Sequence, residues 1–256
     1  MHPEIRTISN FRDVGGFATR DGRRVRRGLL FRSGHLGAAD HEDLARLAAL
    51  GIRTVIDFRG PQDEAGDGAR RLPPGARLVR LPMSDPAGGG DIRDLLQRAD
   101  AAGLERILGG GGAARMMCRA AAGLVTERRA EFGALLRGLA REHRLPALMH
   151  CSAGKDRTGW AASLVLLVLG ASEDDVIEHY LLSNAHRREE NERVLANPRD
   201  GLDPEWIRPF LEVRAEYARA ALDAAAEHFG SFEAYVESGL GVDAATRERL
   251  RVRFLE

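Results

Sequence analysis

His150-Cys151-Ser152-Ala153-Gly154-Lys155-Asp156-Arg157-Thr158-Gly159 is the stretch whose reading decides the fold. A short apolar run, Leu145 to Met149, precedes it, and a long one, Trp160 to Leu169, follows. The order predicts a strand, a tight loop and a buried helix. Such a loop turns successive backbone N–H groups inward, and the helix adds the positive end of its dipole. The product is a socket for a tetrahedral dianion, with Cys151 at its floor and Arg157 on its rim.

Each residue type answers a chemical need. A thiol attacks phosphorus as the thiolate. The amide nest, the helix start and the Arg157 guanidinium all favour that anion. Arg157 presents a planar fork that matches two phosphate oxygens and follows their charge into the transition state. Gly154 lets the backbone turn close to the ligand. Thr158 is expected to donate its hydroxyl to the Cys151 sulfur, easing its departure. Gly159 is expected to let the helix pack close to the strand. Ser152, Ala153, Gly154, Lys155, Thr158 and Gly159 together form the expected substrate-binding wall.

Blander readings weigh less. A lone cysteine is often a small buried hydrophobe, and a Cys-x5-Arg spacing alone says little. A nucleotide-binding loop needs glycine five residues before Gly154 and Ser or Thr after Lys155. Met149 and Asp156 stand there instead. His150 before the cysteine, Thr158-Gly159 after the arginine and the two apolar flanks carry the catalytic reading.

The stretch resembles the signature loop of the cysteine-dependent protein tyrosine phosphatases. It is most similar to the bacterial tyrosine/dual-specificity branch, whose loop reads His-Cys-x-x-Gly-Lys-Asp-Arg-Thr-Gly. Asn10-Phe11-Arg12-Asp13-Val14-Gly15-Gly16, Phe31-Arg32-Ser33-Gly34, Asp57-Phe58-Arg59 with Glu64, and Tyr180 to Asn184 resemble segments of the same branch. The resemblance implies a two-step reaction through a cysteinyl-phosphate, with no metal and no cofactor. It implies a buttressing role for the Asn10 to Gly16 element. Arg32 is expected to tie loops together. The carboxylates near Asp57 are expected to brace arginines, Arg12 or Arg59.

Lysine occurs once among the 38 basic residues, at Lys155. An ammonium is a compact point charge where a guanidinium is a broad fork. Lys155 is therefore expected to meet the phosphate or a second anionic group, against the alternative of a solvated loop lysine. In related phosphatases a lysine here accompanies activity on phosphoinositides, which keeps a lipid head group open as substrate.

The chain is 256 residues long, long enough for a sizeable core. Its formal net charge is +0, so no general attraction to nucleic acid follows. Cys118 and Cys151 form no metal-ligand spacing and no disulfide framework. No apolar run has the length of a membrane span, and the N-terminus lacks a signal-peptide core. A cytoplasmic enzyme is the expectation, with export by a route without a cleaved signal as the alternative; oligomeric state is not encoded.

Elsewhere, Asp40 is a candidate N-cap for a helix from His41 to Leu50. Thr54 to Phe58 and Leu78 to Pro82 read as strands. The latter runs into Met83-Ser84-Asp85-Pro86, where Asp85 is a candidate general acid that protonates the leaving oxygen. Asp156 is its rival from inside the socket, and both stay in play. Gly88 to Gly90 and Gly109 to Gly112 bracket two amphipathic helical segments. Residues 88–112 are expected to form a lid, against a surface excursion without catalytic role. Thr126 to His143 reads as one core-facing helix, and Ser172, Asp203, Ser231 and Asp243 as later helix starts.

The expected fold is α/β: one domain, 1–256, with a small, mostly parallel sheet, helices on both faces and a helical lid insertion. The expected function is phosphate monoester hydrolysis through Cys151. Phosphotyrosine leads, with phosphoserine, phosphothreonine and phosphoinositides as alternatives. A catalytically dead phosphate-binding module, or sulfur or arsenate chemistry on a similar loop, are the competing classes.

Overall fold

The computed structural model describes residues 5–69, 71–84, 101–196 and 202–256. Asp85 and the first part of the expected lid, 88–100, lie outside the described residues.

Five strands form one sheet in the order β1-β2-β5-β3-β4. They are β1 (Arg12–Asp13), β2 (Leu30–Ser33), β3 (Thr54–Asp57), β4 (Arg77–Arg80) and β5 (Ala147–His150). All neighbours are parallel except β1, which pairs antiparallel with β2. This is the mostly parallel α/β sheet that the sequence predicts.

Strand β5 is central. Its last residue, His150, is in register with Ser33 on one side and Asp57 on the other. Three strand ends therefore finish at one edge, where ligands collect in parallel sheets. Alternation sends Phe31, Val55 and Leu148 to a cluster with Leu47 of α1 (His41–Ala49). Leu30, Ile56 and Met149 point to the opposite face and the main core.

That core surrounds the helix Arg157–Leu169, in which every residue but Leu167 is buried. Its apolar run has no polar face to turn outward, so the sheet on one side and helices on the others close over it. Asp40, Ser172, Asp203, Ser231 and Asp243 all accept from a backbone N–H as N-caps.

The insertion departs from expectation. A helix at Ala101–Leu108 contains the predicted Leu104, Ile107 and Leu108. The glycine run after it, however, does not end an excursion. It turns directly into a 16-residue helix, Gly112–Glu127, which packs along Ala215–Phe229. A Cβ on Gly112 would lie 2.0 Å from Ile107 O, so the glycine there serves close packing between the two helices. The single helix expected over 126–143 is instead Arg129–Leu139, separated from its predecessor at Arg128.

Candidate active site

The loop between β5 and the helix Arg157–Leu169 is shaped from behind. Every carbonyl from Ser152 to Lys155 is claimed by a donor outside the loop. His35 N donates to Ser152 O at 2.8 Å. Asn10 Nδ2 donates to Ala153 O at 3.2 Å and Gly154 O at 2.8 Å. Arg187 Nη1 donates to Ala153 O at 3.2 Å. Arg32 Nη2 donates to Gly154 O at 2.6 Å and Lys155 O at 3.4 Å. In a trans peptide the C=O and the following N–H point in opposite directions. Carbonyls pulled outward therefore turn the N–H groups of Ala153, Gly154, Lys155 and Asp156 inward, which is the nest an anion needs.

The backing residues are themselves held. Arg12 Nη1 donates to Asn10 Oδ1, and Arg12 Nη2 to His179 O and Ser183 Oγ. Asn10 has φ +59, the left-handed region that asparagine tolerates. Arg32 is 0% exposed. Burial brings its pKa down to about 10, so it stays cationic at neutral pH. Arg12 and Arg32 thus hold loops together, as the sequence suggests. Asp57 pairs with Arg59 at 3.1 Å and does not reach Arg12; Glu64 pairs with Arg80 instead.

Gly154 sits at φ +67, and a Cβ on it would lie 2.2 Å from Ser33 O. A Cβ on Gly159 would meet the Tyr180 ring at 2.7 Å. Both glycines allow contacts that no other residue permits. Cys151 is 2% exposed and carries a free thiol at the end of β5. His150, beside it, is pushed down to about 4 by burial, against the pull of Asp57, and so is neutral at physiological pH.

Arg157 begins the helix and is fixed by a carboxylate that the sequence reading missed. Asp63 Oδ2 accepts from Nη1 at 2.7 Å and Oδ1 from Nη2 at 3.0 Å. Met83 O accepts from Nη1 at 2.9 Å. Asp63 also accepts from Ser152 Oγ and from Gly60 N. Burial would raise the Asp63 pKa, but Arg157 and these donors outweigh it and hold the carboxyl below its usual range. A signal was available: Asp63 is the third residue of the helix Pro61–Asp67, where a carboxylate folds back onto the helix start.

One expected contact is absent, and a second is made within the chain. Thr158 Oγ1 is buried with no hydrogen-bond partner among the described residues, so the expected bond to Cys151 is not made. Lys155 is not a solvated loop lysine: it is buried, and the anionic group its ammonium meets is a carboxylate of the chain itself. Its Nζ donates to Phe210 O and to Glu212 O, 3.4 Å away, and pairs with Asp156 at 3.5 Å. The carbonyl end of the helix Pro204–Leu211 leaves orphan acceptors, and the ammonium supplies them with donors. Asp156 lies in the wall beside Trp160, Tyr180 and Tyr217.

Comparison with known proteins shows the family of the chain. The family model described as tyrosine phosphatase family matches residues 3–256. A Cupriavidus necator protein named as a tyrosine-protein phosphatase is 36% identical over 242 residues, covering 93% of this chain and 84% of its own. The triple specificity protein phosphatase PtpB of Mycobacterium tuberculosis is 32% identical over 269 residues, covering 94% and 95%. Among solved structures, P. aeruginosa TpbA superposes with a TM-score of 0.35 at 20% identity, over 74% of this chain and 89% of that one. The chain belongs to the tyrosine phosphatase family.

Proposed function

We propose that the chain hydrolyses phosphate monoesters through a phosphocysteine on Cys151. What supports this is the set of outward-bound carbonyls from Ser152 to Lys155, which turns the amides of residues 153–156 toward the inside of the loop that begins at Cys151. The Cys151 sulfur attacks phosphorus as the thiolate. The P–O bond to the leaving group breaks, and that oxygen takes a proton. Water then attacks the phosphocysteine, releasing phosphate and restoring the thiolate. Arg157, oriented by Asp63, binds the equatorial oxygens whose charge the amides share. Ser152, Ala153, Gly154, Lys155, Thr158 and Gly159 form the wall around them.

Asp156 and Asp85 are the two candidates for the proton donor. Asp156 is supported by its place on the loop whose amides form the nest, with Trp160, Tyr180 and Tyr217 beside it and Lys155 at 3.5 Å; Asp85 is supported by its place after β4. Phosphotyrosine is the leading substrate. Lys155 supports this over a phosphoinositide, because its ammonium is engaged with Phe210 and Glu212 carbonyls. A broader range that includes phosphoserine and phosphothreonine is supported by the 32% identity to a phosphatase named for triple specificity. Residues 1–256 act as one catalytic domain, with 88–112 contributing a wall or lid, in the cytoplasm.

Turnover of an aryl phosphate by wild type and by Cys151→Ser tests the core of the reading. The variant is expected to be inactive while still binding phosphate; turnover that survives the substitution rules out covalent catalysis by Cys151. Asp156→Asn and Asp85→Asn, assayed with a poor leaving group, identify the acid. If neither slows it, both assignments fail.

A further inference from the structure

At the flank of the signature loop lies a cleft of about 510 Å³. The segment before β1, the loop after β2 and the junction of the helices Glu173–His186 and Arg188–Ala196 enclose it. Two of its lining residues hold the signature loop directly. His35 N donates to Ser152 O, and Arg187 Nη1 to Ala153 O. The cleft therefore adjoins Ser152 and Ala153, which are themselves only half-buried. Its volume falls within the roughly 300–1,000 Å³ of sites that take organic ligands, so more than a lone ion fits.

Its lining is basic and polar. Four arginines, Arg6, Arg187, Arg188 and Arg193, stand against two carboxylates, Glu189 and Glu190. Glu190 is taken up by Arg187 at 2.9 Å. Arg6, Arg188 and Arg193 are exposed, and Arg188 makes no hydrogen bond or ion pair among the described residues. His35 Nδ1 accepts from Gly37 N at 3.1 Å, which leaves Nε2 to carry the ring proton as a donor. His186 also lines the cleft; burial, with Arg12 and Arg32 nearby, lowers its pKa, so it adds no charge at neutral pH. The chain as a whole has a formal net charge of +0, so this excess of cations is local. Apolar lining is confined to Ala38 and Ala185, which offers no purchase to an acyl chain. What fits is a polar ligand with negative charge.

We propose that this cleft reads acidic side chains that flank the phosphorylated residue of a peptide substrate, with Arg188 and Arg193 as the specificity determinants. The proposal rests on the phosphatase reading above. With the phosphate in the amide nest, the peptide passes over Ser152 and Ala153 and brings a neighbouring carboxylate to the arginine rim. Guanidinium forks match carboxylates in geometry as well as charge, and arginine clusters are a recurring way to read acidic motifs. An extended peptide advances about 3.3 Å per residue, so the positions read lie within a few residues of the phosphorylated one. Arg187 is not part of the rim, because Glu190 and Ala153 O already engage it.

The test compares kcat/KM for phosphotyrosine peptides of equal length, with aspartate or alanine on either side of the phosphorylated residue, and uses p-nitrophenyl phosphate as the reference. The wild type is expected to favour an acidic peptide about tenfold, an advantage that high salt removes. Arg188→Gln and Arg193→Gln, combined, should abolish that advantage and leave p-nitrophenyl phosphate turnover unchanged. Equal rates on acidic and neutral peptides in the wild type overturn the proposal, as does an advantage that survives in the double variant. A preference found only with a bisphosphorylated inositol lipid in vesicles overturns the peptide assignment. Fluorescence anisotropy of the same peptides, labelled, on Cys151→Ser reads the cleft by the same criteria without turnover. Absence of p-nitrophenyl phosphate turnover in the wild type would thus count against the phosphocysteine mechanism alone.

Discussion

Arg157 donates two parallel hydrogen bonds to Asp63, 2.7 and 3.0 Å long, and the pair is almost wholly shielded from water. A fork held this way is oriented before substrate arrives. Asp63→Asn keeps the shape but removes the charge that fixes the guanidinium. It is expected to lower kcat/KM about 10- to 100-fold, the worth of a charge-assisted bond. Phosphate affinity measured alongside should fall less than kcat. An Asp63→Asn enzyme with wild-type kcat would show that Arg157 needs no such support.

The same pair has a pH signature. The Asp63 carboxyl is held below its usual range in the folded chain, so the unfolded chain takes up a proton there first. The stability that Asp63 contributes is therefore complete above about pH 4, the ordinary aspartate value, and is lost as pH falls through the lowered folded value. The stability difference between wild type and Asp63→Asn, from urea melts, should stay level from neutrality to that point and shrink below it.

Much of this site was legible in the sequence, and the reason is local. His150 to Gly159 announces itself because strand, glycine turn and apolar helix are all short-range patterns. Asp63 did not, although it lies six residues from Asp57. Which carboxylate of the first helical turn folds inward depends on where Arg157 sits, 94 positions away; its neighbour Glu64 goes to Arg80. The helix Gly112–Glu127 was hidden for another reason. Glycine at its start and at Gly123, with alanine on most faces, blurs the 3.6-residue period, and its partner helix Ala215–Phe229 is just as alanine-rich.

His150 carries a second pH dependence of like direction. Burial pushes its folded value down to about 4, while the unfolded chain protonates near about 6.5. The folded chain thus binds fewer protons between these values, so stability falls as pH drops through that window. The contribution is on the order of 3 kcal/mol at most, for a shift of that size. His150→Asn, which retains an N–H for the Cys151 carbonyl, should flatten the slope of the urea midpoint between about pH 6.5 and 4. An unaltered slope would show that His150 is not kept neutral.

Gly154→Ala separates loop geometry from loop chemistry. The alanine would have to adopt a positive φ and place its Cβ against the Ser33 carbonyl. A left-handed alanine costs about 1–2 kcal/mol and overpacking against fixed backbone about 1–3 kcal/mol more. The expected outcome is a lower melting temperature together with loss of phosphate binding, because relief of the clash must displace the very peptides whose N–H groups form the nest. A stable variant that binds phosphate normally would mean that the carbonyl ring does not set the amide positions.

Lys155 makes the sharpest contrast between two roles for one side chain. If it serves chiefly to read substrate charge, Lys155→Met should impair turnover and leave stability unchanged. Its bonds to Phe210 and Glu212 point the other way. The helix Pro204–Leu211 ends here, and its last carbonyls and those just beyond it depend on side-chain donors: Asn191 reaches Leu211 O at 3.1 Å and Asn184 reaches Val213 O at 2.8 Å. Removing the ammonium strips its donor from two partly buried acceptors close together in the chain. Lys155→Met is therefore expected to cost about 1–3 kcal/mol in a urea melt. Lys155→Arg should recover little of it, because a broad planar fork does not fit where a compact ammonium meets two carbonyls of one turn. Full stability in Lys155→Met would return this lysine to the substrate side of the loop.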